Sequence, residues 1–225
     1  MLTHPHNRSC FLLSVDDLDR LPGHIRRYAR HLRSVAGWAE AYLSRPHPEL
    51  GRTGPVCPYV PTSLRRRLFH LTVCTGDVER YGGNGRARLL DVIATYRDWF
   101  TELDPQDGSG AQFKTILILF PDVSAADAPE VIDATQAALK PSFVEAGLMI
   151  GQFHQLPPAE GGLWNADFRP LRSPVPLLAI RHMVPSDLPF LTGERQLLDG
   201  YRQVFGDDLP ERYRAELDRE MSGVK

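Results

Sequence analysis

Apolar residues recur along the chain in two rhythms, one near 3.6 residues and one near 2. Over residues 23–44, Ile25, Tyr28, Leu32, Val35, Ala39, Tyr42 and Leu43 fall at three- and four-residue spacing, which predicts a helix with one buried face. Pro46 and Pro48 end it. Leu89, Leu90, Ile93, Tyr96, Phe100 and Leu103 predict a second helix, stopped by Asp104-Pro105. Asp127-Ala128-Pro129-Glu130 supplies an N-cap, an early proline and an acidic first turn for a third, running through Lys140. Leu197, Leu198, Tyr201 and Val204 mark a fourth over 194–205; the pattern from Pro210 to about Met221 is mostly charged and reads as a surface helix or partner contact.

The period of two appears first at 68–74, where Phe69, Leu71 and Val73 alternate with His70, Thr72 and Cys74. That alternation predicts a half-buried strand. Residues 115–120 are continuously apolar after Thr115, as in a central strand covered on both faces. Residues 147–154 and 176–183 read as the third and fourth strands. The expected fold is therefore α+β: a single domain over 1–225, with an N-terminal arm (1–22), a core (23–190) and C-terminal helices (191–225). Its mixed sheet has about four strands, with helices packed on one face.

Composition narrows the function. With 225 residues, 42% of them hydrophobic, the chain can bury a sizeable core. A net charge of −2 lacks the basic excess that phosphate neutralisation requires, so no nucleic-acid partner is expected. The N-terminus lacks a signal-peptide layout, and no apolar run approaches the roughly twenty residues of a membrane span. A soluble, cytoplasmic protein without a membrane partner is expected. Cys10, Cys57 and Cys74 are widely spaced, giving neither a disulfide framework nor a C-x-x-C metal pair.

Two proline-rich segments stand outside the periodic pattern. Residues 51–61, GRTGPVCPYVP, are neither helix nor ladder by composition, and the prolines flanking Val56-Cys57 stiffen the backbone beneath the thiol. Residues 155–175 form a long connection carrying Trp164, Phe168, Arg169 and Arg172, and connections of that length are often functional. The expectation is that both converge with His154, at the exit of the third strand, on one site. A glycine-rich turn at 81–86 matches a phosphate cradle only weakly, without a Lys-Ser/Thr pair.

Several chemistries suit this inventory. Cys57 could be a nucleophile activated by His154 or His182, for transfer or hydrolysis. His154 or Cys57 could ligate a non-covalent haem walled by Tyr59, Phe153, Trp164 and Phe168, with Arg169, Arg172 or Arg181 on its propionates. The arginines could instead bind an anionic small molecule without catalysis, or tie loops to carbonyls. A non-haem metal site has the least support, since no ligand spacing such as H-x-x-x-H occurs.

The chain resembles a bacterial family of uncharacterised activity marked by Gly-Arg-x-Gly-Pro-Val-Cys-Pro-Tyr/Phe-Val-Pro, here 51–61, and by DFRPLRSPVPLLAIRHM, here 167–183. More distantly, its order of features is similar to the YqcI/YcgG family, some members of which are haem proteins that N-hydroxylate guanidines in natural-product pathways. That resemblance keeps only part of an Arg-Arg-Ser-Arg-like run, as Arg169-Pro170-Leu171-Arg172-Ser173. It implies a haem-dependent monooxygenase acting on a small nitrogenous metabolite, with an electron-donor protein as partner. His154 would be the iron ligand. Arg169, Arg172, Arg181 and Cys57 would serve the reaction, and Tyr59, Trp164 and Phe168 would hold the macrocycle.

Overall fold

The computed structural model describes every residue except 77, 82–84, 158–160 and 224–225. Its elements, in chain order, are β1 (Leu2–Thr3), β2 (Phe11–Leu12), α1 (Ala29–Trp38), α2 (Val60–Arg65), β3 (Phe69–Val73), α3 (Val78–Tyr81), α4 (Gly85–Glu102), α5 (Gly108–Ala111), β4 (Thr115–Leu119), α6 (Ala134–Glu145), β5 (Leu148–Phe153), β6 (Leu177–His182), α7 (Arg195–Phe205) and α8 (Glu211–Gly223). The four predicted strands form one mixed sheet in the order β3-β4-β6-β5. β3 and β4 are parallel, and β6 is antiparallel to both β4 and β5. Hence β3, β4 and β5 point the same way, and their carboxyl ends share one rim.

Helices cover both faces of this sheet, not one. Ile116, Ile118, Ile150, Leu178 and Ile180 face Ile93, Tyr96, Phe100 and Phe143 of α4 and α6. Leu117, Leu119, Leu177, Phe69 and Leu71 face Leu32, Val35 and Val60 of α1 and α2. Two consequences follow. The all-apolar β4 is buried on both sides, as its composition requires, and β3 is fully buried rather than half-buried because Thr72 and His70 lie under α4. Thr72 Oγ1 meets Tyr96 Oη at 3.0 Å, which satisfies a hydroxyl inside the core.

A third cluster closes the C-terminal end. α8 is charged outside but buries Leu217 and Met221 against Leu197, Leu198 and Tyr201 of α7, so it is a packed helix. Tyr201 Oη donates to Pro185 O at 2.7 Å. The third predicted helix runs past Lys140 to Glu145, with Pro141 inside α6. On the N-terminal side, the arm adds strand structure: β1 pairs with β2, and Leu13 bridges to Leu71 on the free edge of β3.

At the amino end of β4, Lys114 is completely buried and donates from Nζ to Phe100 O (2.8 Å) and to Leu103 O. It thereby closes the last turn of α4, whose carbonyls have no intrahelical partner. Burial, opposed by Asp104, pulls its pKa down to about 8. Two histidines flank it, His70 buried and His182 half-buried. His70 and His182 are each pulled down to about 4, chiefly by burial and further by the Lys114 charge.

Candidate functional site

The residues singled out from the sequence fall into three places. His154 is fully buried at the carboxyl end of β5, on the α6 side. Its Nδ1 accepts from the Leu156 N–H at 3.3 Å, so the ring proton resides on Nε2, which donates to Asp133 Oδ1 at 3.0 Å. Asp133 ends a π-helical turn, Pro129–Asp133, that leads into α6. The backbone of His154 also holds the end of the second loop, through Leu171 O and the Ser173 N–H. Both ring nitrogens are therefore committed. Bonding to an iron would break one of these hydrogen bonds and open a buried position, so His154 as it stands does not fit an axial haem ligand.

Cys57, Tyr59 and Arg181 lie toward the opposite end of the sheet. Arg181 is separated from Leu177, at the His154 end of β6, by roughly 13 Å of strand at about 3.3 Å per residue. Its guanidinium makes a bidentate pair with Asp187, at 2.7 and 2.6 Å, and donates to His182 O. Burial opposes the Arg181 charge, but Asp187 overrides that and raises its pKa. Tyr59 packs 6.2 Å from Phe113, and burial raises its pKa against the pull of Ser186 and Arg181. Cys57 is half-buried on the α1 side, its N–H bonded to Leu43 O at 2.9 Å. His182 projects to the other face, 4.9 Å from Phe100. Neither His154 nor His182 is placed to activate Cys57.

The third place is where the two proline-rich segments do meet. Arg52 lies 5.1 Å over the Trp164 ring, and its guanidinium donates to Thr53 O and Val56 O. Asn165 Nδ2 donates to Glu49 O at 2.8 Å. Gly51 is left-handed (φ 77°), and a Cβ on it would come within 2.7 Å of Trp164 O; the glycine is needed both for the turn and for the close approach. The far half of the same segment is not loop throughout. Val60 begins α2, with Pro61 in its first turn, where a missing N–H costs nothing.

Around that meeting point lies an aromatic strip of which the sequence marked Phe153 and Phe168 but not Trp38, Tyr42 or His47. Trp38 stacks on Tyr42 (6.1 Å, 24°) and meets Phe153 edge-on at 5.8 Å. His47 lies between Tyr42 (5.8 Å) and the buried Phe168 (5.0 Å). Tyr42 belongs to a π-helical turn, Ala39–Leu43, that prolongs α1; such turns recur at functional sites. Burial raises the Tyr42 pKa, opposed by the Arg172 charge. Arg172 is exposed. Among the described residues its guanidinium has no hydrogen bond or ion pair, whereas Arg169 is turned back onto Ala166 O and Phe168 O. Trp164 is 59% exposed, an outer flank of the strip and no wall of an enclosed pocket.

The glycine-rich turn at 81–86 lies partly outside the described residues; its Arg86 donates to Ala134 O at 2.9 Å. Among the described residues no His, Cys, Asp and Glu side chains group as a metal site, and no helix is long and apolar enough to cross a membrane.

The molecule is a single α+β domain on a mixed four-stranded sheet, with an arginine-flanked aromatic strip at the carboxyl rim. The chain belongs to the family described as Domain of unknown function (DUF6875), which matches residues 32–216. No curated protein and no solved structure matches it.

Proposed function

We propose that this protein binds a small planar anion, carrying a carboxylate or phosphate, on the strip formed by Trp38, Tyr42 and Phe153. Arg172 carries this reading: it is an exposed guanidinium without an ion pair among the described residues, acting on the hydroxyl of a half-buried tyrosine. A guanidinium fork suits a two-oxygen anion, and the stacked Trp38–Tyr42 pair offers a flat apolar face to the ligand body. Arg52 adds a second cation over Trp164.

Haem is a planar dicarboxylate and so falls within the ligand class, but with His154 committed to Asp133 and Leu156 the binding reading stands ahead of an oxygenase. Titration of the protein with 2-naphthoate and with haemin, followed by fluorescence and absorbance, tests it. Arg172→Ala weakens the naphthoate or haemin interaction about tenfold or more, the worth of a charge-assisted hydrogen bond of roughly 1.5–3 kcal/mol. Arg169→Ala has a smaller effect. Equal affinity in wild type and Arg172→Ala, or no binding of either probe by wild type, overturns the reading.

A further inference from the structure

Cys10 and Cys74 are far apart in sequence, yet the arm brings them to one place. Leu13 and Leu71 exchange both backbone hydrogen bonds, each 2.8 Å, in an antiparallel bridge. Carrying that register along the two segments sets Leu12 opposite Thr72, Phe11 opposite Val73 and Cys10 opposite Cys74. Side chains alternate between faces, so both cysteines share the α4 side, where Cys10 is buried in the core and Cys74 packs against it. Because Leu13–Leu71 is a hydrogen-bonded pair, alternation makes Cys10–Cys74 a non-hydrogen-bonded pair. In a regular ladder such a pair has Cα atoms about 4.5 Å apart, within the range of roughly 4.4–6.8 Å that a disulfide spans.

One group interrupts that ladder. Tyr96 Oη accepts from the Phe11 N–H (3.4 Å), lies 3.5 Å from Phe11 O and meets Thr72 Oγ1, taking the place of the bonds due between Phe11 and Val73. The Tyr96 hydroxyl also acts on the Cys10 thiol and that of Tyr81 on Cys74, each lowering the thiol pKa against the larger upward push of burial. The hydroxyl is thus a polar wedge one pair away from the two thiols.

We propose that Cys10 and Cys74 form a reversible disulfide that locks the N-terminal arm to the edge of β3, with the Tyr96 hydroxyl as the wedge that withdraws when the bond closes. The oxidant is a low-molecular-weight disulfide. Cys74, the residue with the more exposed surface, loses its proton and attacks one sulfur of the oxidant, releasing one small thiol and leaving a mixed disulfide. Cys10, deprotonated in turn, attacks the Cys74 sulfur and expels the second small thiol. Two protein S–H bonds are lost, one S–S bond is formed, and the oxidant is reduced to two thiols. Burial raises the pKa of both cysteines, so the rate climbs with pH. Cys57 lies on the other face of the sheet and takes no part.

Incubating the full chain with oxidised glutathione at pH 8, then alkylating, digesting and analysing by mass spectrometry, tests this. A Cys10–Cys74 peptide with Cys57 alkylated is the expected product, and its formation raises the melting temperature. Cys10→Ser traps glutathione on Cys74, and Tyr96→Phe speeds closure. Full alkylation of all three thiols in a chain that circular dichroism shows to be folded overturns the proposal. So does a bridge to Cys57, or a Cys10–Cys74 link that forms only in denaturant.

Discussion

Asp187→Ala lowers the unfolding free energy by about 3–5 kcal/mol, the cost of removing one partner of a buried ion pair, and shifts the urea midpoint accordingly. Asp187 retains only 3% side-chain exposure, while Arg181 retains 29%, so the loss lies toward the lower end of that range. The carboxylate does two jobs. It holds both guanidinium nitrogens of Arg181 and accepts from the Val184 N–H at 2.8 Å, which fixes the turn between β6 and α7. Alanine leaves a charge in the sheet with no counterion and a backbone donor with no acceptor. The double variant Arg181→Met, Asp187→Leu recovers most of the loss, because no charge is then stranded. If Asp187→Ala alone costs under about 1 kcal/mol, the pair behaves as a screened surface bridge.

Acid removes stability through the histidines beside Lys114. In the folded chain His70 and His182 have pKa values of about 4; in the unfolded chain they titrate near 6.5. Between those values the unfolded chain binds more protons, so stability is complete above about pH 6.5 and is lost as pH falls toward 4. His70 contributes about 2–3 kcal/mol to that loss, and half-buried His182, more open to solvent screening, about 1–2 kcal/mol. Urea unfolding at steps from pH 7.5 to 4.5 measures it. His182 is the cleaner probe: its Nε2 is buried without a partner, and its ring lies 4.9 Å from Phe100. His182→Phe therefore leaves stability at pH 7.5 unchanged or higher and flattens the acid limb by its share. Acid limbs that coincide in wild type and His182→Phe would show that carboxylates alone account for the loss.

All four strands were legible from periodicity, because each carries a run of alternating or continuous apolar residues long enough to outweigh local propensity. Layering was not. A continuous run such as 115–120 announces two covered faces, but nothing in α1 or α4 states which face each will cover. α2 was hidden by Pro61, which reads as a breaker but is tolerated in a first turn. The third helix was drawn only as far as Lys140, and it continues through Pro141 to Glu145.

The candidate site was legible in part. Arg52 with Trp164, and Arg172 with Phe168, came from the two proline-rich segments that do meet. Arg181, Cys57 and Tyr59 were grouped with them because they are near in sequence, although β6 carries Arg181 to the opposite rim. Tyr42 counted only as a core residue of its helix. The π-helical turn that places it beside Arg172 depends on a hydrogen bond from Ser44 N to Ala39 O, which leaves no mark in a hydrophobic pattern. Lys114 and Asp187 also lacked a signal: each is a lone charged residue beside an apolar run, and only tertiary packing closes water away from it.

The N-terminal arm has one further meaning. β3 is an outer strand, and unpaired outer strands recruit other chains into intermolecular ladders. Residues 10–13 run along that border, bonded at Leu13–Leu71 and sealed by the Tyr96 hydroxyl. They precede residue 32, where the shared family region begins. The segment that keeps this sheet from templating aggregation is therefore contributed from outside that region, and a fragment trimmed to residues 32–216 would present β3 bare to its neighbours.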